Sequence, residues 1–295
     1  MNDNVSTLRV GVIGLGAMGE PMARHLHARA MLRVIGNRTL AKAEALAIEL
    51  DVLAAASTAD FANCNVLMLC VSADADVLEN VSALAAVLRR GSVVVDHSTV
   101  ARATAQAAAA LLAAHGIGFI DAPVSGGVEG ARNGRLSIMA GGDADSLEFA
   151  RPALDAYAAR ITLMGDVGAG QSTKAVNQVL VAGISQAVCE GLALGEALGL
   201  DAERLLPTLA AGAAANWFLD KRGATMLRSE FTPGFKCAHL LKDLRIVDAM
   251  ATAAGVAHPV LLQSLADYAE LVARGRGAED TSALITLKRE GGTLL

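Results

Sequence analysis

The sequence predicts an α/β first half built on a parallel sheet and an all-α second half, joined by one long helix. Three observations carry this reading. Up to about residue 163, short apolar runs alternate with helical stretches, and that alternation calls for a parallel sheet with helices on both faces. Residues 161–178, ITLMGDVGAGQSTKAVNQ, read as a last short strand (Ile161–Leu163), a glycine-punctuated turn and the first turns of an apolar helix. Beyond Gly170 the pattern is helical almost to the C-terminus. The expected division is therefore a first domain over 1–165 and a second over 166–295.

A chain of 295 residues with 53% hydrophobic content can bury the cores of two medium domains. Aromatics make up only 3%, so those cores are expected to be aliphatic. The formal net charge of −5 argues against broad non-specific nucleic-acid binding. Cys64, Cys70, Cys189 and Cys237 show no paired spacing, so neither a metal site nor a disulfide framework is expected, and they read as small core residues in a reducing compartment. The polar start MNDNVST does not look like a secretory signal. The apolar helix after Gly170 is interrupted by Asn177, Gln178, Gln186 and Glu190, so no bilayer span is expected. The expectation is a soluble cytoplasmic protein with neither a membrane nor a nucleic-acid partner.

Leu8–Ile13 has the length of a buried strand and runs into Gly14-Leu15-Gly16-Ala17-Met18-Gly19, then a helix to about Arg29. A G-x-G-x-x-G between strand and helix is a dinucleotide motif. The first glycine permits the tight turn, the second lets backbone approach a pyrophosphate, and the third lets helix and strand pack closely. The helix N-terminus then offers free N–H groups to the phosphates. Leu32–Gly36 reads as the next strand and ends at Asn37-Arg38-Thr39. A carboxylate here would bind a ribose 2′-hydroxyl. An arginine instead offers a bidentate partner to a 2′-phosphate, so NADP(H) is expected in preference to NAD(H). Thr39 also reads as the N-cap of a helix over 40–50.

Strands are expected over 66–71, 92–96 and 117–121, with helices over 75–88 and 101–115, the latter stopping at Gly116. Ligands bind beyond the carboxyl ends of such strands, which here are Cys70-Val71-Ser72, His97-Ser98-Thr99 and the loop 122–127. His97 invites a general-base reading. A histidine with no identified partner is more often structural or exposed, and that reading is preferred. The small residues of Ser125-Gly126-Gly127 can expose successive N–H groups to an anion; an ordinary glycine turn is the alternative.

Lys174 lies near the start of the long helix with Asn177 three residues on, so amine and amide share a helix face. That face is expected to look into a cleft between the halves; a solvated helix lysine is the ordinary alternative. The helix is apolar on nearly all sides, so burial inside its own domain or against a second subunit is expected. Lys242 and Asp243 stand in an apolar context, which is unusual. The charges of 274–280 and 288–290 read as a solvated tail.

With these motifs in hand, the chain resembles the β-hydroxyacid dehydrogenase family. The matching segments are GLGAMGEPMA (14–23), DHST (96–99), DAPVSGG (121–127), GAGQSTKAVNQ (168–178), PGF (233–235) and KDL (242–244). The resemblance implies a Rossmann-type N-terminal domain, a long interdomain helix, an all-α C-terminal domain and an oligomer, expected as a homodimer or homotetramer. It implies that Lys174 is catalytic, with Asn177 holding the same reacting oxygen. It places a substrate carboxylate on Ser125, Gly126 and Gly127, with Phe235 and Lys242 also at the substrate. Lys242 and Thr99 would lie by the nicotinamide end of the cofactor, and Cys70 and Val71 would line it. One departure is the loop Leu69-Cys70-Val71-Ser72, where many members have Met-Leu-Pro. The implied reaction is hydride transfer between a nicotinamide and a small hydroxyacid or its oxo form. An imine-reducing enzyme of similar plan and a non-catalytic NADP-binding scaffold stay open as alternatives.

Overall fold

Val66–Leu69 is buried at all four positions, and the reason is a sheet covered on both faces. The computed structural model describes residues 8–290. Val66 and Met68 join one apolar cluster while Leu67 and Leu69 join another, as the two-residue period of a strand requires.

The first half contains β1 (Val10–Ile13), α1 (Gly19–Ala28), β2 (Leu32–Gly36), α2 (Leu40–Leu50), β3 (Leu53–Ala54), β4 (Val66–Leu69), α3 (Asp74–Ala85), β5 (Val93–Asp96), α4 (Arg102–Ala113) and β6 (Gly118–Asp121). These strands run parallel in the order β3-β2-β1-β4-β5-β6. The chain goes one way from β1 to β2 and the other way from β1 to β4, so the crevice for a ligand opens at the carboxyl ends of β1 and β4.

The sheet is not purely parallel, and here the structure corrects the sequence reading. β7 (Val124–Ser125), α5 (Gly127–Arg132), β8 (Leu136–Gly141), α6 (Ala144–Leu154) and β9 (Ala158–Gly165) follow β6. β8 runs antiparallel to β6 and β7 and parallel to β9. The reversal comes from the short Ala122-Pro123 link and the α5 turn, which send the chain back along the edge. β9 is longer than the run of three residues expected for it.

α7 (Ala169–Ala197) is 29 residues long. The chain divides into two compact units within this helix, between Lys174 and Ala175. By length and composition alone α7 is apolar enough to cross a membrane. Yet its polar residues Gln171, Lys174, Gln178 and Gln186 are all buried. Apolar side chains Val176, Leu180 and Ile184 are exposed along one stripe, at 63%, 61% and 39%. The helix is therefore not buried all round within a single chain.

The second unit continues with α8 (Ala202–Ala210), α9 (Trp217–Leu227), α10 (Cys237–Ala253), α11 (Pro259–Ala273), a 3-10 turn (Thr281–Leu284) and α12 (Ile285–Arg289). Its core gathers Phe218, Leu240, Leu244, Tyr268 and Leu284 among others. Residues 274–290 are not a solvated tail. Asp280 is buried and receives hydrogen bonds from the Gly234 and Phe235 amides and from Arg222 Nε. Arg276 stacks on Phe231 at 5.2 Å, and Lys288 pairs with Asp267 at 2.7 Å. Charges in this segment tie it to the rest of the helical unit, which a count of charges along the chain does not reveal.

Candidate functional site

The glycine turn has the geometry a dinucleotide needs. Gly14 has φ +97° and lies against the Cys70 carbonyl, so a Cβ there would collide with backbone. A Cβ on Gly19 would strike the Gly14 carbonyl, which is how α1 comes so close to β1. Nothing lies within 4 Å of a Cβ built on Gly16, so that position is open to an approaching ligand. A cavity of about 220 Å³ opens beside Gly16 and Ala17, walled by Arg24, His25 and Arg132. Leu15 and Met18 flank the turn; Leu15 is fully buried, and α1 begins just after Met18.

Asn37 has a role that sequence reasoning missed. Its Oδ1 accepts from the Leu15 N–H at 3.1 Å, and its Nδ2 donates to the Thr39 carbonyl at 3.1 Å. The side chain ties the end of β2 to the glycine turn. Arg38 is 86% exposed at its side chain, and its Nη1 lies 3.8 Å from Asp76 Oδ1 on α3. Thr39 occupies the N-cap position of α2 but makes no side-chain cap hydrogen bond, so the capping role expected for it is not realised.

At the end of β4, the Cys70 N–H donates to the Ile13 carbonyl and the Val71 N–H donates to Ser98 Oγ, both at 2.9 Å. These bonds hold the β4 loop between β1 and the loop after β5, where Thr99 is half-buried. His97 is 3% exposed. Its Nδ1 meets the Ala122 carbonyl at 2.6 Å and its Nε2 meets the Tyr157 hydroxyl at 2.8 Å. A carbonyl can only accept, so Nδ1 carries the proton and Nε2 accepts from Tyr157. Burial pushes the imidazole down to about 4. His97 is thus a buried structural histidine and not an exposed one, with both nitrogens committed.

The structure brings Lys174 to the loop 121–127. Lys174 is 8% exposed, and its Nζ donates to the Val124 carbonyl at 2.9 Å. A solvated helix lysine is excluded. Ser125 pairs with Ser137 across β7 and β8. Gly126 and Gly127 both have positive φ, +129° and +61°, a backbone course suited to glycine. Gln171 locks the same turn of α7 to the β5 loop: its Nε2 donates to the Ser98 carbonyl at 2.8 Å, and its Oε1 accepts from the Val100 N–H at 3.2 Å.

Within the second unit, two other candidates are linked by a polar chain. Asn177 Nδ2 donates to Gln178 Oε1 at 2.8 Å, and Gln178 Nε2 donates to Asp243 Oδ2 at 2.7 Å. Lys242 Nζ lies 3.2 Å from Asp243 Oδ1. Asp243 is 4% exposed, so its charge is buried with partners on both oxygens. This accounts for the unusual Lys242-Asp243 pair. Phe235 is set by its own amide on Asp280 and by a tilted ring contact with His239 at 6.4 Å.

Known proteins share both units. A family model described as the NAD binding domain of 6-phosphogluconate dehydrogenase matches residues 9–165. A second, described as NAD-binding of NADP-dependent 3-hydroxyisobutyrate dehydrogenase, matches residues 168–288. The probable 3-hydroxyisobutyrate dehydrogenase-like 1 of Arabidopsis thaliana is 35% identical, over 95% of this chain and 85% of its own length. The 2-hydroxy-3-oxopropionate reductase of Escherichia coli K12 is 32% identical, over 94% of this chain and 96% of its own. Among solved structures, Mycobacterium tuberculosis 3-hydroxyisobutyrate dehydrogenase with L-serine superposes with a TM-score of 0.86 at 29% identity, covering 96% of this chain and 99% of that one.

Proposed function

The chain belongs to the β-hydroxyacid dehydrogenase family and is an NAD(P)-dependent hydroxyacid dehydrogenase, and from that premise we propose that it interconverts a small 3-hydroxyacid, or a 2-hydroxyacid such as glycolate, with its semialdehyde or oxoacid, using NADP(H) in preference to NAD(H). The observation that carries this is the meeting of Lys174 Nζ with the Val124 carbonyl, one residue before Ser125-Gly126-Gly127. An amine that moves a proton thereby stands next to a turn able to hold a carboxylate.

The nicotinamide supplies or accepts the hydride when it is bound. Lys174 as ammonium donates a proton to the oxygen that becomes a hydroxyl; in the oxidising direction it is neutral and takes that proton back. Asn177, three residues on along α7, is proposed to hold the same oxygen, with its amide fixed by Gln178. Ser125, Gly126 and Gly127 are proposed to bind the substrate carboxylate, with Phe235 and Lys242 as further substrate contacts. Gly16, Ala17 and Met18 are proposed to take the pyrophosphate on backbone N–H groups, with Leu15, whose N–H is held by Asn37, completing the turn beside it, and Arg38 the 2′-phosphate. The same reading makes the protein a cytoplasmic homodimer or homotetramer.

The test is nicotinamide absorbance with NADPH or NADH against a panel of small semialdehydes, glyoxylate and 3-hydroxyacids. Turnover of at least one acid with NADPH supports the reading. Reduction of cyclic imines without any turnover of these acids overturns it in favour of imine reduction. Tight NADPH binding with no turnover of either class leaves the scaffold.

A further inference from the structure

Asp121, the last residue of β6, is fully buried. Its Oδ1 accepts from the Gly168 N–H at 2.7 Å and its Oδ2 from the Gln171 N–H at 2.8 Å. Gly168 immediately precedes α7 and Gln171 lies in its first turn, where the amides have no partner inside the helix. Two glycines make room for the carboxylate. A Cβ on Gly141 would lie 2.5 Å from Asp121 Oδ1, and one on Gly170 would lie 2.5 Å from the Asp121 carbonyl and 2.8 Å from Oδ2. The second glycine of the 168–170 turn is thus needed for close packing on the Met139 and Asp121 carbonyls as well as on the carboxylate. Lys174 is three residues beyond Gln171, and its Nζ bonds to Val124, three residues beyond Asp121. One short segment therefore holds both ends of the lysine: its helix through Asp121 and its amine through Val124.

We propose that Asp121 is a positioning residue for Lys174: as a carboxylate it caps the first turn of α7 and fixes where the amine is delivered. The inference rests on the reading of Lys174 as the proton donor and acceptor.

A purely structural cap would be expected to stabilise the fold as a charge, and Asp121 does not. Burial pushes its carboxyl up to about 6, against the opposing hydrogen bonds from Gly168, Gln171 and Gly170. The protonated acid is then favoured in the folded state. Its stabilising contribution is complete below the unfolded value near 3.8 and is lost as pH rises through about 6. At neutral pH the carboxylate is therefore less favoured in the folded state than in the unfolded chain. The charged and titratable groups on the elements around it are Asp96, its register partner on β5; Arg102 of α4, whose stem packs on Gly168; Asp166, before α7; and Lys174 itself.

The experiment compares wild type with Asp121→Asn, which keeps the shape but offers only one acceptor oxygen. Three readouts are taken: kcat across pH, Tm across pH, and the rate at which Lys174 is trinitrophenylated, followed by peptide mass. The expected result at pH 8 is a kcat at least thirtyfold lower, NADPH affinity within threefold of wild type, and Lys174 labelling about tenfold faster. As pH falls from 7 to 5, wild-type kcat falls through an acid limb near 6 that the variant lacks. Over the same range the Tm of wild type rises relative to that of the variant. Activity and stability moving in opposite directions is a signature that a structural cap does not give.

Unchanged labelling and a shared acid limb overturn the proposal. Faster labelling with kcat within twofold of wild type also overturns it, leaving a cap without a positioning role. If wild type turns over no hydroxyacid, the proposed function fails, and labelling with the Tm difference still decides the case for Asp121. Should Asp121→Asn not fold, Asp121→Ser removes the carboxylate without adding bulk and carries the same expectations for kcat and labelling.

Discussion

Lys174 Nζ donates to the carbonyl of Val124 at 2.9 Å, so the backbone of the 121–127 loop takes part in placing the amine. A backbone acceptor orients the lysine and carries no charge that would neutralise it. Removing a positioned acid–base group lowers rate by on the order of a hundred- to ten-thousand-fold. Lys174→Ala is expected to lose that factor in kcat while still binding NADPH, whose glycine turn is built from other residues. Stopped-flow turnover with fluorescence titration of NADPH checks it. Near-normal kcat removes the catalytic assignment, and loss of NADPH binding makes Lys174 a cofactor or structural residue.

The turn after β2 sets a second expectation. Arg38 is offered to solvent with Asp76 3.8 Å away. Charge-assisted hydrogen bonds contribute roughly 1.5–3 kcal/mol, so one surviving contact to a 2′-phosphate favours NADPH by about ten- to a hundredfold in kcat/KM. Arg38→Ala is expected to erase most of that, with little effect on NADH. Exposed ion pairs contribute only about 0.2–1 kcal/mol. Asp76→Asn is therefore expected to tighten NADPH by no more than about fivefold. Equal or better kcat/KM with NADH in the unmodified enzyme defeats the preference altogether.

His97 yields a stability expectation with a definite sign. Its folded value, lowered by burial to about 4, lies below the unfolded 6.5. The contribution is present above 6.5 and is lost as pH falls toward 4, on the order of 3 kcal/mol in all. This runs opposite to Asp121 over nearly the same range, so only variants separate them. His97→Ala is expected to flatten the acid-side loss of stability in urea titrations between pH 7 and 4. Tyr157→Phe removes the hydroxyl that serves Nε2 and is expected to cost roughly 1–3 kcal/mol, as for any buried acceptor left alone. An unchanged midpoint in Tyr157→Phe contradicts the assigned tautomer.

Much of the first unit was legible because strand and helix periods differ and because the glycine turn has strict steric demands. Gly14 and Gly19 are glycine for reasons that spacing alone suggests. Of the edge from Val124 to Gly165 only the strand around Ile161–Leu163 was legible, since an antiparallel return depends on a short link and not on periodicity. Lys174 was legible as a helix lysine beside a loop motif, but its acceptor was not, because a backbone carbonyl leaves no mark on composition. Asp121 appeared as a strand end, Gln178 as a polar break in an apolar helix and Gln171 as a member of a matched segment, none with a partner. Their long-range work is done across 47 to 73 residues of chain, through contacts such as Gly168 with Asp121, Gln178 with Asp243 and Gln171 with Ser98, and separations of that size carry no local pattern. Asp243 was the exception, visible as an acid out of place among apolar neighbours.

The exposed stripe of α7 gives the last expectation. Val176, Leu180 and Ile184 recur every four residues, which keeps them on one side of the helix, and they are 63%, 61% and 39% exposed. Contiguous exposed apolar surface on a helix marks an interaction face. A second copy of the chain is the proposed occupant, as a closed homodimer or a homotetramer built from it. Leu180→Glu places a charge in the centre of that stripe, where an unpaired buried charge is strongly unfavourable. The variant is expected to shift to monomer at micromolar concentration in multi-angle light scattering, with a far-UV spectrum like that of wild type, because Leu180 is not part of the buried core of its own unit. If wild type is already monomeric at that concentration, the stripe is not a self-association face. If Leu180→Glu leaves the oligomer intact, assembly uses another surface and α7 faces solvent along this side.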